Sequence, residues 1–184
     1  MARTPSTMVT LGTKAPAFTL PDTISGKQLS LENIKGETAT MIMFICNHCP
    51  FVKHVNTELV RFGNDYKNKG IGFAAISSND VINHPDDAPG FMTQVAKQLK
   101  YPFPYLYDES QETAKAYDAA CTPDFFIYDK DLHLVYRGQL DDSRPGNEIP
   151  VTGKDIRHAL DCLINNEPVP QEQRPSIGCN IKWK

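Results

Sequence analysis

The chain lacks the features by which several broad classes of function are recognised. Its 184 residues carry 19 Lys and Arg against 22 Asp and Glu, a formal net charge of −3. There is no cationic excess of the kind that grips a nucleic-acid backbone. No apolar run approaches the roughly 20 residues needed to cross a bilayer, and the opening MARTPSTMVTLG has no apolar core of a signal peptide. A cytoplasmic location, with neither membrane nor nucleic acid as partner, is the expectation. Cysteine is scarce and odd in number: Cys46, Cys49, Cys121, Cys162 and Cys179. In a reducing compartment an odd set speaks against a disulfide framework and for chemistry or metal binding at the close pair. With 40% hydrophobic residues, a chain of this length buries a core without such staples.

No internal repeat or low-complexity tract divides the sequence, so it reads as one domain over 1–184, with 166–184 a tail packed on it. A short strand near Phe18 and a hairpin centred on Gly26 open the chain. Thr40–Ile45 is a continuous apolar run, too short for a helix and suited to a central strand covered on both faces. After Pro50, Phe51, Val55, Leu59, Phe62 and Tyr66 form one helical stripe that Gly70 closes. A second buried strand spans 71–77, a polar loop SSNDVINHPDDAPG follows, and Phe91, Met92, Val95 and Leu99 mark the next helix. Residues 101–108 suit an edge strand, because their prolines cannot serve a central ladder. A brief helix over 111–119, two strands around a turn at 129–131, and a helix over 154–164 complete the order. In that last helix Ile156, Ala159, Leu160, Leu163 and Ile164 face inward, and Cys162 falls off the stripe. The alternation predicts an α/β fold: a central mixed β-sheet with helices on both faces and an N-terminal β-hairpin extension.

The informative stretch is MIMFICNHCPFVKH, where Cys46 and Cys49 lie between the apolar strand and the helix. With Cys46 at the helix start, unpaired amides and the helix dipole favour its thiolate. Cys49, one turn further in, is expected to be more shielded and to keep an ordinary pKa. Cys46 then attacks a substrate disulfide and Cys49 resolves the mixed disulfide. His48 could add positive charge when protonated, and Pro50 fits a first helical turn. The rival readings are weaker. A structural zinc site needs four ligands, typically two such pairs; Cys46, His48, Cys49 and His54 are the set a metal would have to use. Covalent haem needs histidine directly after the second cysteine, where Pro50 stands. No cofactor and no resident metal is therefore expected.

Further along, CTPDFFIYD adds a second piece. Together with GTKAPAFTLPD…GKQLSLENIKG, FICNHCPFVKH, ISSND and PSIGCNIKWK, it makes the chain similar to the thioredoxin-like superfamily. The match is to the redoxin branch grouped with alkyl hydroperoxide reductase and thiol-specific antioxidant proteins (AhpC/TSA), and covers about the whole chain. The resemblance implies a thioredoxin-like fold and thiol-disulfide oxidoreductase activity on protein or small-molecule disulfides, with electrons from a separate thiol reductant. It implies that Pro123, preceded by Thr122, is a cis-proline facing the pair, with the Thr122 backbone free to pair with an extended substrate. A cysteine beside that proline, Cys121, departs from plain thioredoxins and is either an auxiliary thiol or a small buried hydrophobe. Peroxiredoxins of the superfamily place a threonine three positions before the reactive cysteine and a proline four before that. Counting back gives Met43 and Ala39 from Cys46, or Cys46 and Ile42 from Cys49, so neither frame fits. Thiol peroxidase activity is thus the alternative. The carboxylate many thioredoxins keep beneath the pair has Thr40 at its place, which leaves Lys53 and His54 as candidate proton shuttles. Asn79 and Asp80 could line the rim. Cys179, in the tail with the single tryptophan, either comes near Cys46 or is structural, and the structural role is the expectation.

Overall fold

The computed structural model describes residues 3–184. In chain order the strands are β1 (Arg3–Pro5), β2 (Thr19–Pro21), β3 (Gln28–Ser30), β4 (Ala39–Phe44), β5 (Ile71–Ser77), β6 (Tyr105–Tyr107), β7 (Cys121–Thr122), β8 (Asp124–Asp129), β9 (Leu134–Gly138) and β10 (Ile177–Asn180). The helices are α1 (Leu31–Ile34), α2 (Pro50–Tyr66), α3 (Pro89–Leu99), α4 (Glu112–Ala116) and α5 (Lys154–Ile164), with a 3-10 turn at Pro85–Asp87. Five strands form the central sheet in the order β6-β5-β4-β8-β9. β4, β5 and β6 run parallel, whereas β8 is antiparallel to both β4 and β9. The predicted mixed sheet is therefore present, and β2 and β3 form the predicted N-terminal hairpin.

The apolar run of β4 has a simple cause. Ala39, Met41, Met43 and Ile45 point to the core beneath α2, α3 and α5, while Ile42 and Phe44 point to the core with α1 and α4. Both faces are covered, so no position of the strand can be polar for solvent; Thr40, the exception, is buried and accepts the Gly36 amide on its hydroxyl. Helix α2 lays Val52, Val55, Leu59 and Phe62 against the sheet and buries Glu58, whose carboxylate pairs with Arg157 of α5 at 2.6 Å.

Helix α3 is rotated from the expected face, whereas α5 keeps its expected face and buries one residue more. In α3 the buried residues are Met92 and Ala96, and Phe91 is exposed. In α5 Ile156, Ala159 and Leu160 are buried as expected, Leu163 and Ile164 pack half-buried against the same core, and Cys162 is buried as well. Each helix is only 11 residues long, so a one-residue shift of the contact line reassigns its last turn. The C-terminal strand β10 joins a second, three-stranded sheet, β1-β10-β7. It lies antiparallel to β7, with Cys179 opposite Thr122. No helix among the described residues is long and apolar enough to cross a membrane.

Leu59 is fully buried between α2 and the sheet, so Leu59→Ala should cost roughly 2–5 kcal/mol. Urea unfolding should show this as a lower midpoint at an unchanged slope.

Candidate active site

The site is built where β4 hands over to α2. The chain leaves the strand at Phe44 and turns through Asn47 and His48; Cys49 is the N-cap of α2, with Pro50 at its first turn. This corrects the expectation that Cys46 starts the helix. Proline lacks an amide hydrogen and has φ set for a helix, so it fixes the start at position 50. The preceding turn is held by a different group. The fully buried Asp87 carboxylate accepts the Asn47 amide at 2.8 Å and the His48 amide at 3.2 Å. It also accepts His48 Nδ1 at 2.6 Å and the Asn79 side-chain amide at 2.8 Å. Asn47 donates to the Asp86 carbonyl and accepts from the Tyr105 hydroxyl, and the His48 ring stacks on His84 at 5.3 Å. Both residues between the cysteines are thereby fixed.

Three sulfurs meet beside the Thr122–Pro123 peptide, which is cis. Cys46 Sγ lies 3.4 Å from Thr122 Oγ1 and 4.0 Å from His48 Nδ1. Cys49 Sγ lies 3.2 Å from the Thr122 carbonyl and 3.0 Å from Cys179 Sγ. The Cys49 thiol is held below the ordinary range by a hydrogen bond from Cys46, and further by Cys179, Thr122 and the Val52 amide in the first turn of α2, against the opposing effect of burial. Cys46 is pushed up, first because it is the donor to Cys49, then by burial and by the Asp87 carboxylate. The ionisation asymmetry is therefore the reverse of that expected. The positive end of the helix lies at its N-cap, and the N-cap is Cys49, with the Val52 amide favouring its charge.

The other candidates divide. Lys53 is exposed, and His54 is turned to Ser143 Oγ at 2.7 Å; neither is placed at the sulfur cluster. Cys121 is fully buried with Sγ 3.6 Å from the Pro123 carbonyl, and burial pushes its thiol up. Asn79 reaches the site through Asp87, whereas Asp80 caps its own turn, accepting the Ile82 amide. Cys46 Sγ, His48 Nδ1 and an Asp87 oxygen offer ligand atoms within 4.8 Å of one another. His54 is not in that cluster, and the Asp87 carboxylate is already occupied by four N–H donors.

Sequence reasoning missed Asp87 and undervalued Cys179. Asp87 sits in a polar loop, 38 positions beyond Cys49, and no spacing rule points to it. The Thr122 edge is also not open as expected. Strand β10 already pairs with it, because Gly178 lets the tail come close: a Cβ there would collide with the Thr122 carbonyl oxygen.

Residues 11–137 match the model of the AhpC/TSA family. An uncharacterized conserved protein from Geobacillus kaustophilus is 62% identical over 100% of this chain and 97% of its own, with a TM-score of 0.99. A hypothetical protein from Sinorhizobium meliloti 1021 is 47% identical over 98% of each chain, with a TM-score of 0.96. The thioredoxin domain of a thiol-disulfide oxidoreductase from Bacteroides vulgatus shares the fold, with a TM-score of 0.60 at 19% identity over 74% of this chain and 90% of its own. No curated protein matches.

The electrostatics predict that the fully reduced protein carries a thiolate at neutral pH. Its ultraviolet absorbance should titrate below the ~8.5 of a free thiol, vanish in Cys49→Ser and persist in Cys121→Ser. A midpoint at or above the free-thiol value would contradict the assignment.

Proposed function

The chain belongs to the AhpC/TSA family and has the thioredoxin-like fold, and from that premise we propose that it is a thiol-disulfide oxidoreductase working through a Cys46–Cys49 couple. Membership itself points to the class of thiol-disulfide oxidoreductases and thiol peroxidases. The observation that carries the finer reading is the placement of both sulfurs on Thr122 beside the cis Thr122–Pro123 peptide, one of them at a helix N-cap. On this reading the pair shares a proton, its loss being favoured at Cys49 and disfavoured at Cys46.

Cys46 is the substrate-facing sulfur. It sits beside the half-exposed His48, while Cys49 is enclosed by Cys179 and Thr122. Attack on a substrate disulfide forms the Cys46–substrate bond and breaks the substrate S–S bond. The Cys46 proton passes to Cys49 and the departing substrate thiolate is protonated by solvent. Cys49 then gives up that proton to the departing substrate sulfur, its thiolate favoured by the Val52 amide of α2, and attacks the Cys46 sulfur. The second substrate thiol leaves and a Cys46–Cys49 disulfide remains. Overall, two protein thiols are oxidised and one substrate disulfide is reduced to two thiols; a thiol reductant of the cell reverses the change. Thr122 acts here as a positioning residue, its hydroxyl lowering the energy of a Cys46 thiolate. The substrates are protein or small-molecule disulfides and the compartment a reducing one, such as the cytoplasm.

A peroxidase reading finds support in one contact, the Thr122 hydroxyl against Cys46, because a donor beside a reactive sulfur can also polarise a peroxide. Reduction of insulin and of a small aromatic disulfide should fall to the uncatalysed rate in Cys46→Ser. Hydrogen peroxide should oxidise the wild-type protein no faster than a free thiol; a rate orders of magnitude higher would favour the peroxidase. Thr122→Val removes one hydrogen bond to the reacting sulfur, worth about 1 kcal/mol or roughly fivefold in kcat/KM. The pH–rate limb of that variant should move to higher pH, whereas a purely structural loss would leave the limb in place.

A further inference from the structure

We propose that Cys179, delivered by the C-terminal strand β10, is a third redox thiol of this site, exchanging with the Cys46–Cys49 disulfide to give a Cys49–Cys179 disulfide. The inference rests on the function proposed above and extends it to a residue that function does not require.

Three observations meet at Cys179. Its sulfur is 3.0 Å from Cys49 Sγ, so closing to the bond length of a disulfide needs a movement of about 1 Å. It stands opposite Thr122 in the β7–β10 ladder, on the strand edge that would otherwise be open to an extended substrate. Gly178, by having no side chain, allows that close approach. The tail is also firmly seated. The Asp80 amide donates to the Lys182 carbonyl at 2.8 Å, and the Lys182 amide donates to Asn79 Oδ1 at 2.8 Å. The Gln111 side-chain amide donates to the Lys182 carbonyl at 2.8 Å, and the Ser176 hydroxyl donates to the Pro123 carbonyl at 2.6 Å. Cys179 is therefore held at the site in every molecule and does not have to be recruited.

The exchange balances without any further oxidant. The Cys179 sulfur attacks Cys49 of the Cys46–Cys49 disulfide; the Cys49–Cys179 bond forms and the Cys46–Cys49 bond breaks. The proton of Cys179 is transferred to the departing Cys46 sulfur, whose protonated form burial and the Asp87 carboxylate favour. The disulfide has moved one sulfur inward, Cys46 is returned as a thiol, and the tail is covalently tied to the N-cap of α2. Attack by a reductant in the reverse order restores all three thiols. Neither Cys121, directed at the Pro123 carbonyl, nor Cys162, beside His158 on α5, has such a placement.

The test is disulfide mapping of the full-length protein after oxidation with excess oxidised dithiothreitol, with remaining thiols blocked in acid. Wild type should yield Cys46–Cys49 and Cys49–Cys179 linkages. Cys46→Ser should still lose two hydrogens in mass and yield Cys49–Cys179 alone, and Cys46→Ser/Cys179→Ala should stay reduced. Absence of the Cys49–Cys179 linkage from both wild type and Cys46→Ser, or joining of Cys49 to Cys121 or Cys162 instead, would overturn the proposal. A wild type that never joins Cys46 to Cys49 but does join Cys49 to Cys179 would instead sink the proposed function and leave the third thiol standing.

Discussion

The chemistry of this site depends on where one helix begins. Pro50 fixes the start of α2, which puts Cys49 at the positive end of the helix, where the Val52 amide favours a charged sulfur. A sulfur so placed tolerates negative charge even when fully buried, and its neighbours are arranged around that charge. Cys46 favours its charge, and Cys179 lies 3.0 Å from it. A buried thiolate without such neighbours would be too costly and would remain a thiol, as at Cys121.

Asp87 solves the complementary problem. The turn from Cys46 to Cys49 leaves the Asn47 and His48 amides outside both strand and helix, and buried amides without acceptors are costly. One carboxylate takes both amides and also the His48 ring. Its charge disfavours ionisation of Cys46 at the same time as it fixes the loop. The two sulfurs are thereby made unequal by groups on different sides: neighbouring thiols, Thr122 and the Val52 amide on one, a carboxylate on the other.

Much of this arrangement was legible in the sequence. The run from Thr40 to Ile45 fixed a central two-faced strand within one residue, and the spacing from Val55 to Tyr66 fixed α2. The strand–cysteine pair–helix context led to the site without any contact map, and Thr122–Pro123 followed from the family resemblance. The asymmetry of the pair differs from the expectation because it hangs on where the helix starts, three positions after Cys46, and Pro50 is compatible with more than one assignment of the N-cap. Asp87 was invisible because the contact joins loops 39 and 40 positions apart, with no periodicity to link them. Cys179 was seen as a tail cysteine, but its register opposite Thr122 depends on β10 inserting between β1 and β7, a pairing that four residues of mixed polarity do not announce.

The central claim is that the reduced pair holds one proton, not two, around neutrality. The most direct test is the pH dependence of the equilibrium potential of the Cys46–Cys49 couple against glutathione, in Cys179→Ala so that a single disulfide forms. One proton taken up per two electrons predicts a slope of about 30 mV per pH unit. A slope of about 59 mV per unit through the same range would mean that both thiols are protonated, and would contradict the account.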